Sequence, residues 1–241
     1  MEKITRRLAA FAAELKFAEL DPLLVANFKK HLLDGLGCGL FGLTLPWCRI
    51  VNDYLKEQGG REEATLWREG FKGPSANIAL GLGVMIHSFD FDDYHNAKVH
   101  PAAAVIPAAL AVGETLNADG KEILTAMAAG YEVMIRVSLA TGPASSRLKG
   151  WHLTGTTGTF GAAAAAGNLL QINEDDMASA LGMAGTQSAG LWAFTADGSM
   201  SKRFHAGRAS QSGIMGAMLA KRGFKGPTEL LEAEDGGYSR A

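Results

Sequence analysis

Cysteine is scarce in this 241-residue chain: Cys38 and Cys48 are its only two, ten positions apart. No signal-peptide pattern follows Met1-Glu2-Lys3, and Gly, Pro or a charge interrupts the apolar runs before membrane-spanning length. These absences lead us to expect a reduced, cytosolic, soluble protein. Charge of one sign is lacking too. A net charge of −2, a pI near 6.3 and no long basic run favour neither nucleic acid nor an anionic membrane, which leaves a small molecule as the default partner. Strict apolar/polar alternation is almost missing, so a sheet-based fold is not indicated. No compositional sign of disorder is present either, and at 47% apolar content the chain can build one large core, or a core with an appendage.

What is present reads as helix after helix, joined by short loops. Residues 4–16 place Ile4, Leu8, Phe11, Ala12 and Leu15 at helical spacing. Asp21-Pro22 is an N-cap followed by an N1 proline, opening a helix that turns glycine-rich at Gly35, Gly37, Gly39 and Gly42. Each of those glycines weakens an isolated helix by about 1 kcal/mol relative to Ala, so close packing against a neighbour is expected to compensate. A short helix follows over 48–58, then a stretch in which 64–67 (ATLW) is the only plausible strand. Helices from Ser75, from Ala102 (with Pro107 expected to kink it) and over 121–140 (capped by Asp119) come next. TGPASSRLKG reads as a loop, and the small-residue helix after it is expected to be capped by Thr154 or Thr156. A last helix follows Asn173-Glu174. The fold class is all-α, a large helical domain whose small residues permit tight helix approach.

The stretch His87–Pro107, HSFDFDDYHNAKVHPAAAVIP, crowds Asp90, Asp92, Asp93, His87, His95, His100 and Lys98 between two runs built for burial. Titratable groups placed there are costly to desolvate unless paired or used. Pro101 fits the first turn of a new helix, whose free N–H groups would face the cluster and attract an anion. Three readings stay open: a solvated acidic loop, an acid–base pocket for a small anion, and a Mg²⁺ site on the aspartates. The metal reading lacks a second acidic motif later in the chain. His152, in Gly150-Trp151-His152, sits at another helix N-terminus, where an imidazole and backbone N–H groups can face the same anion; a structural histidine is the plainer reading. DGSMSKRFHAGRAS at 197–210 gathers Lys202, Arg203, His205 and Arg208, either as a surface loop or as cations for carboxylates.

HSFDFDDYH…HPAAAVIPAALAVGE, GWHLTGTTGTFGAAAAAGNLL, ALGMAGTQSAGL and DGSMSKRFHAGRASQSG, in this order and spacing, resemble the MmgE/PrpD family, which includes 2-methylcitrate dehydratase, cis-aconitate decarboxylase and iminodisuccinate epimerase. The resemblance covers residues 1–241 as an N-terminal helical domain. It implies a homodimer and chemistry on di- or tricarboxylates that needs neither cofactor nor metal. It also implies Asp90, His100 and His152 as catalytic residues and Lys202 and Tyr94 as substrate-binding ones. Tyr94 stands where the decarboxylase pattern has threonine, and Asn96-Ala97 replace its His-Pro pair, which weighs against cis-aconitate decarboxylation. An α+β lid domain, supplying another lysine and a tyrosine, is expected after the last residues here and could be a separate half.

Two functions follow as expectations. One is a cytoplasmic lyase-type enzyme, dehydratase or decarboxylase, acting on a polycarboxylate such as 2-methylcitrate or cis-aconitate. One of His100 and His152 would move the proton next to a carboxylate, Lys202 would stabilise the developing charge, and Asp90 would orient a histidine or a substrate hydroxyl. The other is a non-catalytic part or subunit of such an enzyme that retains dimerisation.

Overall fold

The computed structural model describes residues 3–67 and 70–240. Helix α1 spans Ile4–Glu14, α2 Pro22–Gly42, α3 Pro46–Gln58, α4 Ser75–Ile86, α5 Pro101–Leu116, α6 Gly120–Ala140, α7 Pro143–Leu148, α8 Leu153–Leu169, α9 Glu174–Thr186 and α10 Ser201–Lys221. Between α3 and α4, strands β1 (Ala64–Thr65) and β2 (Lys72–Gly73) pair antiparallel. The extended piece read at 64–67 is therefore real but only two residues long. All-α describes the fold.

The two caps read from sequence, Asp21 and Asp119, both form, and Asn173 caps the helix it precedes. Asp21 accepts the N–H of Leu23 at 2.7 Å, Asp119 those of Lys121 and Glu122 at 2.8 and 2.9 Å, and Asn173 that of Asp176 at 2.9 Å. The small-residue helix differs from expectation. It starts one residue before Thr154, with His152 at the N-cap and no side-chain cap bond, because Thr154 Oγ1 instead accepts the N–H of His100 at 3.1 Å. TGPASSRLKG is not a plain loop but holds α7, opened by Pro143 at its first turn. α1 buries Thr5, Ala9 and Ala12 and leaves Ile4 and Phe11 exposed. That helix buries those small residues fully, with Leu8 partly buried beside them. α5 continues through a buried Pro107.

α8 is the axis of the molecule. Every residue from Leu153 to Gly167 is buried, with α6, α10, α5 and α9 packed around it. Such a helix shows no apolar stripe because every side is covered. α6 is the one helix among the described residues long and apolar enough to cross a membrane, contrary to the expectation that every apolar run is interrupted before that length. Most of it is buried inside the protein, as a core helix requires. In α2, a Cβ at Gly35, Gly39 or Gly42 would collide with Ile106, Trp67 or the Met85 carbonyl, so those three allow the close packing expected of them. Gly37 faces open space.

The contact that positions the site is between α4 and α10. A Cβ at Gly83 would lie 2.6 Å from Gly207 Cα, and one at Gly207 would lie 2.2 Å from the Leu80 carbonyl oxygen. Backbone against backbone at this distance brings the C-terminus of α4, where His87 begins the cluster, beside the N-terminal turns of α10, where Lys202 and His205 stand. The stretch read as a possible surface loop at 197–210 is thus mostly the start of a buried helix.

Candidate active site

The loop from His87 to His100 leaves α4 and enters α5 through a tight turn, in which the His95 N–H meets the Val99 carbonyl at 2.9 Å and the Lys98 N–H meets the His95 carbonyl at 2.9 Å. Asp90 and Lys98 adopt left-handed backbone, φ 63° and 59°, an uncommon conformation for residues with a Cβ and most accessible to Asp and Asn. This winding sends the three carboxylates in three directions. Asp92 is buried against His87, whose Nδ1 lies 3.1 Å from both carboxylate oxygens. Asp93 turns away to accept from Ala102 N–H at 2.9 Å and Tyr131 OH at 2.8 Å, with His31 Nδ1 at 3.2 Å. Asp90 alone faces the opening, 2.5 Å from Lys202 Nζ and 3.3 Å from His100 Nε2. The α5 N-terminus is therefore not vacant for a ligand as expected: Asp93 already meets it.

Electrostatics follow from this division. Burial pulls the Asp90 carboxyl upward, but the Lys202 ammonium, aided by His87 and His100, outweighs it and holds the group below its ordinary value. Asp90 is thus ionised at neutral pH. Burial drives His100 below the ordinary histidine value against the pull of Asp92 and Asp90. Its Nδ1 faces the Asp92 carbonyl at 3.3 Å and its Nε2 faces Asp90. With acceptors on both sides, a proton on each nitrogen satisfies the geometry, while burial opposes that charge. His152 is 2% exposed. Burial, then His87, His205, Lys202 and His100, hold it well below the ordinary value, so its imidazole is neutral. Its Nδ1 meets His205 Nδ1 at 3.1 Å, and its ring stacks with that of His87 at 5.8 Å. Gly190, at φ 130°, leaves room for both: a Cβ there would lie 3.2 Å from His205 Nδ1 and 3.6 Å from His152 Cβ.

Asp90, Tyr94, His100, His152 and Lys202 all line one cavity of about 300 Å³. The five residues that the resemblance implied therefore lie around one space, with Tyr94 59% exposed at the rim and its ring 5.5 Å from that of His100. Three features were not foreseen. The His87–Asp92 pair is fully buried behind the cavity, with the His87 ring against those of His100 and His152. His205, grouped with the cations of its stretch, is instead the partner of His152. Arg147 and Trp192 complete the wall, the guanidinium carbon 3.8 Å over the indole ring. Nothing in the sequence marks Trp192, and Arg147 lay in a stretch read as loop. Behind Trp151 a second cavity of about 170 Å³, lined in part by Ser188 and Tyr238, gathers no histidine or carboxylate.

His87, Asp90, Asp92 and His100 each offer a ligand atom within 4.8 Å of the others, as a metal ion would require. The Lys202 ammonium stands on an Asp90 oxygen, however, and a dication there would have to displace that charge or be repelled by it.

The description MmgE/PrpD N-terminal domain matches residues 6–241. The cis-aconitate decarboxylase-like protein oryM of Aspergillus oryzae is 33% identical, over 98% of this chain and 50% of its own length. Cis-aconitate decarboxylase of Homo sapiens is 31% identical over 98% and 50%, and that of Aspergillus terreus 29% identical over 98% and 49%. The chain spans about half the length of the curated relatives it matches.

Proposed function

The chain belongs to the MmgE/PrpD family, and from that premise we propose that its cavity performs lyase-type acid–base chemistry on a small di- or tricarboxylate such as 2-methylcitrate or cis-aconitate, without a metal or cofactor. The observation that supports this most is a neutral, buried His152 sharing one cavity with a cationic Lys202. A histidine can take a proton from carbon only in its neutral form, and because a carbon acid beside a carboxylate is very weak, the developing enolate must meet a fixed cation. Both conditions are present before any ligand arrives.

In this reading His152 takes the proton from the carbon next to a carboxylate, and the electron pair passes into that carboxylate as an enolate beside Lys202. In a dehydration the pair then expels the neighbouring hydroxyl, with His100, held between Asp90 and the Asp92 carbonyl, giving that hydroxyl its proton. In a decarboxylation the order reverses: carbon dioxide leaves first, and a histidine that takes up a proton from solvent passes it to the carbanion. Asp90 orients His100 and Tyr94 stands at the mouth. The homodimer and an α+β segment closing over the cavity belong to the same proposal. In its support, α2 presents Leu23, Leu33, Leu40 and Phe41 to solvent, an apolar face of the kind a second copy covers.

The test is activity of the chain on a panel of citrate-like acids, alone and with a separately expressed lid half. His152→Gln should lower turnover by ~10²–10⁴ with little change in binding. Lys202→Ala should weaken both, since its charge is present in ground and transition states. Equal and mild effects of both substitutions would remove these residues from the site. A second reading, a non-catalytic part that retains dimerisation, draws on the chain's covering half of its relatives' length. It predicts no turnover under either condition.

A further inference from the structure

The cavity wall carries more positive charge than its own carboxylate neutralises. Asp90 is the only carboxylate among the residues lining it, and Lys98, Arg147 and Lys202 are its cations. Lys202 is matched to Asp90. Lys98 and Arg147 have no acidic partner among the described residues, and the histidine at the centre, His152, is neutral. Two unspent positive charges therefore border a concave space, which fits a dianion and penalises a neutral or cationic ligand.

Arg147 is also held in a way that suits a carboxylate. Its guanidinium carbon lies over the Trp192 ring, 3.8 Å from the centroid, close enough for the planar group to stack on the indole. Trp192 is in turn fixed by its backbone N–H to the Gly150 carbonyl at 2.7 Å and by the bridge between Trp151 and Leu191, and its ring meets that of His152 in a T-shaped contact with centroids 5.6 Å apart. Stacking occupies a face of the guanidinium and leaves its rim, where the N–H donors lie, for two parallel bonds to one carboxylate. Lys98, its backbone locked in the left-handed turn, supplies a second charge at the rim. Resting on the function proposed above, we infer that Arg147, assisted by Lys98, forms a separate subsite for a carboxylate remote from the reacting carbon, so that the ligand carries at least two carboxylates and is selected by the second.

Ligands differing only in carboxylate number test this: butyrate, glutarate and tricarballylate, with one, two and three carboxylates on the same propane chain, titrated into residues 1–241 and followed by the NMR shifts of His152 and Trp192. Arg147→Gln should weaken glutarate and tricarballylate about tenfold, the loss of one charge-assisted contact, and leave butyrate within about twofold. Arg147→Lys, which keeps the charge without the flat rim, should recover only part of the loss, and it stands in if the glutamine variant does not fold. Lys202→Ala should weaken all three ligands. Equal effects of Arg147→Gln on butyrate and glutarate, or none on either, would overturn the subsite. If Lys202→Ala still weakens binding in that case, the proposed site survives. If neither variant matters, or the unaltered chain binds no tricarballylate, the proposed function falls with it.

Discussion

His152 and His205 face one another through like atoms, Nδ1 to Nδ1 at 3.1 Å. A hydrogen bond between two such nitrogens needs a proton on one and a lone pair on the other, so the pair fixes the tautomers of both rings. If His152 is the donor, its Nε2 carries the lone pair and the ring is a base; if His205 donates, His152 Nε2 carries a proton and the ring can only give it up.

The first prediction comes from that choice. Proton removal by His152 requires it to be the donor. Nitrogen NMR of the chain should show one His152 tautomer, with the lone pair on Nε2, and His205→Phe should produce a mixture. With any acid that turns over, His205→Phe should lower kcat by about tenfold and leave KM nearly unchanged, as expected of a positioning residue. An Nε2–H tautomer in the unaltered protein would assign proton removal to another group.

Stability should fall on acidification. Burial keeps His100, His152 and His205 below the ordinary histidine value of 6.5, so the unfolded chain binds protons near that pH that the folded chain refuses, and unfolding becomes easier as pH drops below it. His31 works in the opposite sense. Its bond to Asp93 raises it against burial, a contribution fully present below the unfolded value and lost as pH rises through the folded one. Urea midpoints should therefore be lower near pH 5 than near pH 7.5. His31→Gln should steepen the decline and His205→Phe should flatten it. An unchanged midpoint over this window would contradict the neutral buried histidines.

Glycine substitutions should separate by neighbour and not by helix propensity. Gly83→Ala drives a methyl group into Gly207 and the Ala103 carbonyl and should cost about 1–3 kcal/mol, measured by denaturant titration. Gly37→Ala meets nothing within 4 Å and should stabilise by about 0.5–1 kcal/mol. Equal effects would mean that α4 and α10 are not in backbone contact.

Removal of metal should change nothing. Treatment with EDTA is expected to leave tricarballylate binding intact, because Lys202 already supplies the charge at Asp90. Stoichiometric Mg²⁺ or Zn²⁺ in the purified protein, with binding lost on chelation, would transfer His87, Asp90, Asp92 and His100 to a metal site.

Light scattering on residues 1–241 should give a dimer. The apolar side chains that α2 exposes would otherwise form a patch larger than a soluble monomer usually tolerates. A monomer at micromolar concentration would remove the interface from the proposal.

Most helices and their order, α7 and α10 excepted, were legible in the sequence because local rules set them. Asp21-Pro22, Asp119 and Asn173 announce helix starts through bonds made within three residues, and the crowding of Asp90, Asp92, His100 and Lys98 in one apolar context marks a place where charges must be paired. The same local rules misplaced whatever was decided from a distance. Thr154 is a sound cap by composition, but the His100 N–H, 54 positions away, claims its hydroxyl. α10 carries no apolar stripe, because its buried side is Ala, Gly and Ser apart from Ile214, so its first turns read as a loop. Asp92 and Asp93 are indistinguishable as letters. Only the winding of the backbone around Asp90 turns one to His87 and the other to Tyr131 and His31. Sequence determined which groups were available and which helices carry them. Tertiary structure decided which carboxylate faces the cavity, which histidine is kept neutral by burial and which arginine lies over an indole, since each depends on what segments remote in the chain place within 4 Å of it.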